Sequence, residues 1–272
     1  MIGPQDTENA KEIKACCAAA YQSDAVSLIL GENYHPGGTR LTRRLADRIG
    51  LRPGQRVLDV ASGPGGTALL LARDYGVSVD GVELGEQAVA KARAVADGAR
   101  PGRRVRFHIG DAEQLPFADA QFDAVICECA FCTFPHKPAA ATEIARVLRP
   151  GGKAGITDVT VAAGRLDDVL TGLGGWIACL ADARPADDYR MILAAAGLRT
   201  IVTEHHNDAM AAMVDRIDAR LRALRMVRRR NAVLSGIDFD TALRMTAHAR
   251  TAVQRGSIGY TLLVAEKHKH VP

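Results

Sequence analysis

A strand, a glycine loop and a helix follow one another in RVLDVASGPGGTALLLARDYG, and this alternation runs from about residue 55 to about residue 160. RVLDVA is a short apolar run of the kind buried on both faces of a parallel sheet. SGPGG is a tight loop, and TALLLARDY reads as a helix starting just after it. VSVDGVEL and EQAVAKARAVADGA repeat the pair. VRFHIGDAEQLPF adds a third strand and loop, FDAVICECA a fourth strand, AAATEIARVLRPGG a helix with a glycine stop, and KAGITDVT a fifth strand. Such alternation specifies an α/β fold, a doubly wound, mostly parallel sheet with helices on both faces.

The flanks read differently. AKEIKACCAAAYQSDAVSLIL, near residues 10–32, favours helix, being rich in Ala with no internal Pro or Gly. A glycine-rich loop, GENYHPGGT, leads into RLTRRLADRIG, where Leu41, Leu45 and Ile49 share one helical face. Residues 1–50 therefore form an N-terminal helical cap and residues 51–160 the core. Residues 161–272 are expected to supply ligand-side helices and the strands that complete the sheet. Within them, 161–200 reads as a mostly helical insertion, TIVTEHH as a sixth strand and YTLLVAEK as the last. The long connection between those two strands is a candidate lid.

A chain of 272 residues buries a core without staples. Its 47% hydrophobic and 24% charged residues match a soluble globular protein. A net charge of +4 and an aromatic share of 4% argue against nucleic acid as a partner. The run Arg225, Arg228, Arg229, Arg230 reads as the wet face of a helix. No stretch approaches the ~20 apolar residues of a membrane span, and MIGPQDTENAKEIK lacks the apolar core of a signal peptide. The expectation is a cytoplasmic chain that acts on a small molecule, with reduced thiols rather than a disulfide framework.

DVASGPGG, between strand and helix, brings backbone close to a ligand. Dinucleotide folds share such a loop and place an acid about twenty positions on. Here that acid is Glu83, at the end of the second strand, where a carboxylate accepts from two ribose hydroxyls. Asp59 ends the first strand, and Asp111 follows the third, in GDAEQLPF, placed to take an adenine amino group. These two acids turn the reading away from a nicotinamide dinucleotide. In VLDVASGPGG, VDGVEL, GDAEQLPF, FDAV and EIARVLRPGG, over about residues 40–160, the chain resembles the class I S-adenosylmethionine-dependent methyltransferases. The resemblance implies S-adenosylmethionine as cofactor. Its amino-acid part would lie on the loop at Gly63 and Gly65, with Asp59 and Ala61 beside it. Its ribose would lie at Glu83 and Leu84, its adenine at Asp111 and Ala112, with Cys127 in the wall. Ala61 stands where many members carry glycine, and a small residue there is expected to be tolerated. A helix and loop like that around NYHPGGT often cover the cofactor in this family, so Tyr34 and His35 are candidates to face the methyl group. The plainer reading of His35 is a loop residue bonded to backbone.

ICECAFCTF holds three of the six cysteines, Cys127, Cys129 and Cys132, at the carboxyl end of the fourth strand, where open α/β sheets bind ligands. Strand alternation puts Cys127 and Cys129 on the same side. One reading is a compact apolar lining. The other is soft-atom binding, because thiolates select soft metals and metalloids. Cys16 and Cys17 sit in the N-terminal helix. Cys179, in GGWIACLADARPADDYRMILAAAGL, lies in a stretch that resembles the region after the core of arsenite methyltransferases. Members of that branch bind trivalent arsenic through cysteines from separate segments. The chain departs from the branch in having Thr67 and Ala68, not cysteine, after the glycine loop. Cys129, Cys132 or the Cys16–Cys17 pair would have to replace that ligand. The spacing fits a structural zinc knuckle poorly, so no metal site is expected. Nucleophilic cysteine chemistry would need a base such as His136, across a turn with two prolines.

The expected catalytic set is Cys129, Cys132, Cys179 and His35, acting on a soft acceptor such as trivalent arsenic or a thiol, selenium or tellurium compound. The alternative is an organic metabolite with an oxygen, nitrogen or carbon acceptor, served by a base such as His35, His136 or Glu128. A third reading is a module that binds cofactor or metalloid without turnover.

Overall fold

The strands are β1 (Arg56–Val60), β2 (Ser78–Glu83), β3 (Val105–Ile109), β4 (Phe122–Glu128), β5 (Leu148–Val161), β6 (Leu198–His205) and β7 (Ile258–Lys267). In the computed structural model they form one sheet in the order β3-β2-β1-β4-β5-β7-β6. The structure describes residues 4–31, 34–99, 104–162, 166, 168–171, 180, 182–227, 232–234 and 236–269. Strands β1 to β5 pair in parallel, and β7 runs antiparallel between β5 and β6. Burial explains their composition. Val57, Leu58, Val60, Ala124, Val125 and Ile126 are all inside, because helices cover both faces of the parallel part. The crossovers are α4 (Gly66–Tyr75), α5 (Glu86–Asp97) and α6 (Lys137–Val147). Strand order reverses between β1 and β4, whose registered ends are Val60 and Cys127. A crevice opens at the carboxyl side of such a reversal.

Before the sheet come α1 (Pro4–Gln22), α2 (Asp24–Leu30) and α3 (Gly38–Ile49). The single helix expected near residues 10–32 is broken at Ser23. Its Oγ accepts from Val26 N at 3.2 Å, and Asp24 lies in the new first turn. An N-cap serine restarts the helix in a new direction. Helix α3 buries Leu41, Thr42, Leu45 and Ile49 against β5. The close approach requires Gly155, where a Cβ would lie 2.5 Å from Ile49 Cδ1 and 2.8 Å from Leu45 Cδ1.

The described part of 161–200 contains α7 (Asp168–Thr171) and α8 (Ala186–Ala195), in partial agreement with the expected insertion. The connection between β6 and β7 holds α9 (Asn207–Val227) and α10 (Phe239–Gln254). Leu221 of α9, Leu234 of the short turn between the two helices and Phe239 of α10 form a second small core, against which Ile29 of α2 packs. Arg220 Nη1 also donates to the Ile29 carbonyl at 3.3 Å. The C-terminal helices thus buttress the N-terminal cap. Among the described residues, no helix is long and apolar enough to cross a membrane.

Candidate active site

The crevice is a cavity of about 490 Å³, within the range of small-molecule sites. Its floor is the loop from β1 to α4. Its sides are the ends of β2 and β4 and the loop after β3. Helices α1 and α2 and the loop before α3 close it from above. Among the described residues, none after Phe134 lines it.

The β1–α4 loop turns at Gly63 (φ 50°) and Gly65 (φ 85°). Gly65 is the N-cap of α4, and a Cβ there would lie 2.4 Å from the Phe107 ring. Gly63 faces open space and lines the cavity, whereas Gly65 does not line it. Ala61 adopts φ 57°, in the left-handed region, which accounts for glycine being the commoner residue there.

Three carboxylates surround this loop. Glu83 is held by two backbone donors, Gly63 N to Oε2 at 3.0 Å and Gly85 N to Oε1 at 3.1 Å. Those bonds fix a planar acceptor at the cavity edge, with lone pairs left for a pair of hydroxyls. Asp59 is 2% exposed, and among the described residues its Oδ2 has no hydrogen-bond partner. Burial, then the nearby Glu128 and Glu83, push its carboxyl well above the usual range. Among the described residues the buried Ser62 hydroxyl is likewise without a hydrogen-bond partner. An unpaired carboxyl oxygen and an unpaired hydroxyl among the lining residues ask for a ligand with a donor or a cation. Leu84, Asp111 and Ala112 line the cavity as well. The residues present therefore fit a ligand carrying an amino-acid group, a diol and an adenine.

A second cluster, built by four elements, faces the same space. Glu128 ends β4, and its side chain is 4% exposed. It accepts from Thr67 Oγ1 of α4 at 2.7 Å and from Thr42 Oγ1 of α3 at 3.0 Å. His35 Nε2 lies 3.6 Å from Glu128 Oε2 and 3.4 Å from Thr42 Oγ1. His35 Nδ1 lies 3.2 Å from the Pro36 carbonyl. The backbone contact expected for a loop histidine is present, and so is a contact with the buried acid. Beside His35, Tyr34 shares a hydrogen bond with Ser27 at 2.7 Å, and its ring lies 6.4 Å from that of Tyr21.

The cysteines separate. Cys127 is 0% and Cys132 1% exposed, both within the apolar core, and neither lines the cavity. Burial, then Asp158 and Asp59, push the Cys127 thiol up, which keeps it protonated. Cys132 lies in a short helical turn whose N–H donates to the buried Asp158 at 2.8 Å. Cys129 does line the cavity, as does Cys17. The expectation that Cys127 and Cys129 share a side fails because β4 ends at Glu128 and Cys129 takes φ 54°. One left-handed residue breaks the alternation and turns its side chain toward the cavity. Cys179 lies outside the described residues. Among the described residues, no group of three or more His, Cys, Asp or Glu is placed to hold a metal ion.

Lys14, Thr42 and Thr67 were not legible as site residues, and Glu128 was legible only as one of several bases. The nearest sequence signal was Thr67 in the first turn after the glycine loop.

Comparison with known proteins bears on the family of the chain. The family described as a methyltransferase domain matches residues 57–152. The chain is 37% identical to the methyltransferase GfsG of Streptomyces halstedii, over 59% of this chain and 59% of that protein. It is 30% identical to 27-O-demethylrifamycin SV methyltransferase of Amycolatopsis mediterranei, over 90% of this chain and 93% of that protein. It is 33% identical to an arsenite methyltransferase of Halobacterium salinarum, over 56% of this chain and 39% of that protein. The chain thus spans less than two thirds of the first and third relatives and nearly all of the second. Among solved structures, the [4+2]-cyclase SpnF is similar with a TM-score of 0.67 and 29% identity, over 85% of this chain and 81% of that one.

Proposed function

The chain belongs to the class I S-adenosylmethionine-dependent methyltransferases, and on that premise we propose that it methylates a hydroxyl group of an organic small molecule. The bound cofactor supplies a sulfonium methyl, an electrophilic carbon open to in-line attack. The residues proposed to hold it are Asp59 and Ser62 with the Gly63 loop at the amino-acid end, Glu83 and Leu84 at the ribose, and Asp111 with Ala112 at the adenine.

The observation that carries the acceptor reading is the His35–Glu128 pair on the cavity wall. A hydroxyl is a poor nucleophile until its proton leaves, so an O-methyltransferase benefits from a base. His35 is that base. With its proton on Nδ1, toward the Pro36 carbonyl at 3.2 Å, the imidazole leaves Nε2 to receive the proton of the acceptor. Glu128, kept in one orientation by Thr42 and Thr67, stabilises the resulting imidazolium. The rings of Tyr21, Tyr34 and Phe134 give the acceptor an apolar bed. The relative that matches over 90% of this chain is named for methylation at an oxygen, which supports the same reading.

The soft-acceptor reading keeps two supports, Cys17 and Cys129, both on the wall. It loses Cys132 to the core. Labelled S-adenosylmethionine offered with hydroxylated aromatic and macrocyclic acceptors, and in parallel with arsenite plus a thiol, separates the two. We expect turnover with a hydroxylated acceptor. His35→Gln and Glu128→Gln should each lower kcat by about 10²-fold or more with little change in cofactor affinity. Turnover of arsenite that Cys17→Ser or Cys129→Ser abolishes, with His35→Gln unaffected, would overturn the proposal.

A further inference from the structure

Helix α1 presents Lys14, Cys17, Ala18 and Tyr21 to the cavity. Their spacing of three, four and seven puts them on one helical face. Ala15, Ala19 and Ser23 border a second hollow of about 620 Å³, together with Leu84, Gly85 and Gln87. Helix α1 is therefore a partition one helix thick between the cavity and an outer groove. Lys14, Ala18, Leu84 and Asp111 border both spaces.

None of the described side chains of α1 is buried, so apolar packing holds it weakly. The polar anchor is Lys14, whose side chain is 16% exposed. Its Nζ donates to Asp111 Oδ2 at 2.7 Å and to the Glu113 carboxylate. Glu113 also accepts from His136 N at 2.7 Å, and its own N–H donates to Asp111 Oδ1 at 2.9 Å. One ammonium thus ties α1 to the loop after β3 and, through Glu113, to the start of α6. Farther along, the pair Lys91–Asp24 is exposed and spans 3.7 Å, a geometry that holds little. Burial alone would lower the Lys14 pKa, but the bonds to Asp111 and Glu113 outweigh it and hold it above the usual value. The anchor is charged throughout the neutral range.

We propose that Lys14 is a positioning residue of the cofactor site, which orients the Asp111 carboxylate at the adenine end and, by the same bond, holds the cavity-facing side of α1 closed, so that cofactor release requires this bridge to break. The proposal rests on the placement of the adenine end at Asp111. It has a chemical logic. Two carboxylates share one ammonium, so a negative charge remains to accept from an amino group. The same bond fixes Cys17 and Tyr21, which lie one and two turns farther along the helix.

The test measures S-adenosylhomocysteine dissociation by stopped flow for the parent and for Lys14→Met, Lys14→Arg and Asp111→Asn, with amide exchange across α1 in each. Loss of a charge-assisted bond should raise the off-rate of Lys14→Met by about tenfold or more. Exchange in α1 should accelerate while β1 and β4 stay protected. Lys14→Arg, which keeps the charge, should bind and exchange like the parent. If Asp111→Asn weakens binding but Lys14→Met releases the probe at the parental rate, Lys14 has no positioning role. A Lys14→Arg variant as defective as Lys14→Met would overturn that role equally. If Asp111→Asn binds like the parent, the placement of the adenine end is wrong and the proposal falls with it.

Discussion

Asp59 is buried with one oxygen unpaired, and either a proton or a cation relieves that strain. Burial first, then Glu128 and Glu83, raise its pKa well above the usual carboxylate range. Burial thus favours the neutral form of this carboxyl in the empty protein. The stability this confers is complete below the ordinary carboxylate pKa and is lost as pH rises through the raised value. An ammonium group set against Asp59 would reverse the preference and expel the proton. Cofactor binding should therefore release a proton, and affinity should climb as pH rises through that same window. Titration calorimetry in two buffers of different ionisation enthalpy reads the proton directly. Asp59→Asn should stabilise the empty protein at neutral pH, weaken cofactor binding and remove its pH dependence. Binding with no proton exchange would show that the ammonium sits elsewhere.

At the scale of elements, the loop from β1 to α4 divides its two glycines between two tasks. Gly65 combines φ 85° with a ring 2.4 Å from any added Cβ. Gly65→Ala therefore meets a left-handed backbone, costing about 1–2 kcal/mol, and overpacking, costing about 1–3 kcal/mol. It should lower Tm by several degrees. Gly63 has φ 50° but open space around it. Gly63→Ala should cost about 1 kcal/mol in stability and act mainly on cofactor affinity, because the methyl projects at the ligand. Equal losses of stability in the two variants would contradict this division. The loop itself was legible, because glycines between a buried strand and a helix mark a close approach to a ligand. So were Glu83 and Asp111, each at the end of an apolar run. The Ser23 break was missed, although SD within an Ala-rich helix is a capping signal. The Glu128 cluster was mostly illegible, since its partners lie 86 and 61 residues away. Lys14 reaches Asp111 across 97 residues. Local periodicity carries no information about such meetings. Cys129 departs from the strand pattern because alternation holds only to the end of β4 at Glu128, and the backbone turns at the next residue.

At the scale of the whole molecule, the last strand decides whether the rest can fold. β7 ends the described chain yet lies inside the sheet, between β5 and β6. Its register with β5 runs from Lys153↔Glu266 to Val161↔Ile258. Ile258, Tyr260, Leu262, Leu263 and Val264 are each at most 1% exposed. Each such side chain is worth about 1.5–3 kcal/mol of burial. Removing five of them forfeits about 7.5–15 kcal/mol, comparable to the ~5–15 kcal/mol that holds a typical domain together. The cap at the other end of the chain depends on the same region, because Ile29 packs on the core formed by Leu221, Leu234 and Phe239. The methyltransferase-like stretch that ends near residue 160 is a recognisable unit of sequence, and we propose that it is not an independent unit of folding. A fragment ending at Thr160 would expose the β5 edge and lose the support under α2. It should be insoluble, or show helical signal without a cooperative thermal transition. A fragment 1–160 that melts cooperatively and binds S-adenosylhomocysteine would show that the C-terminal helices and β7 are an appendage to a core complete without them.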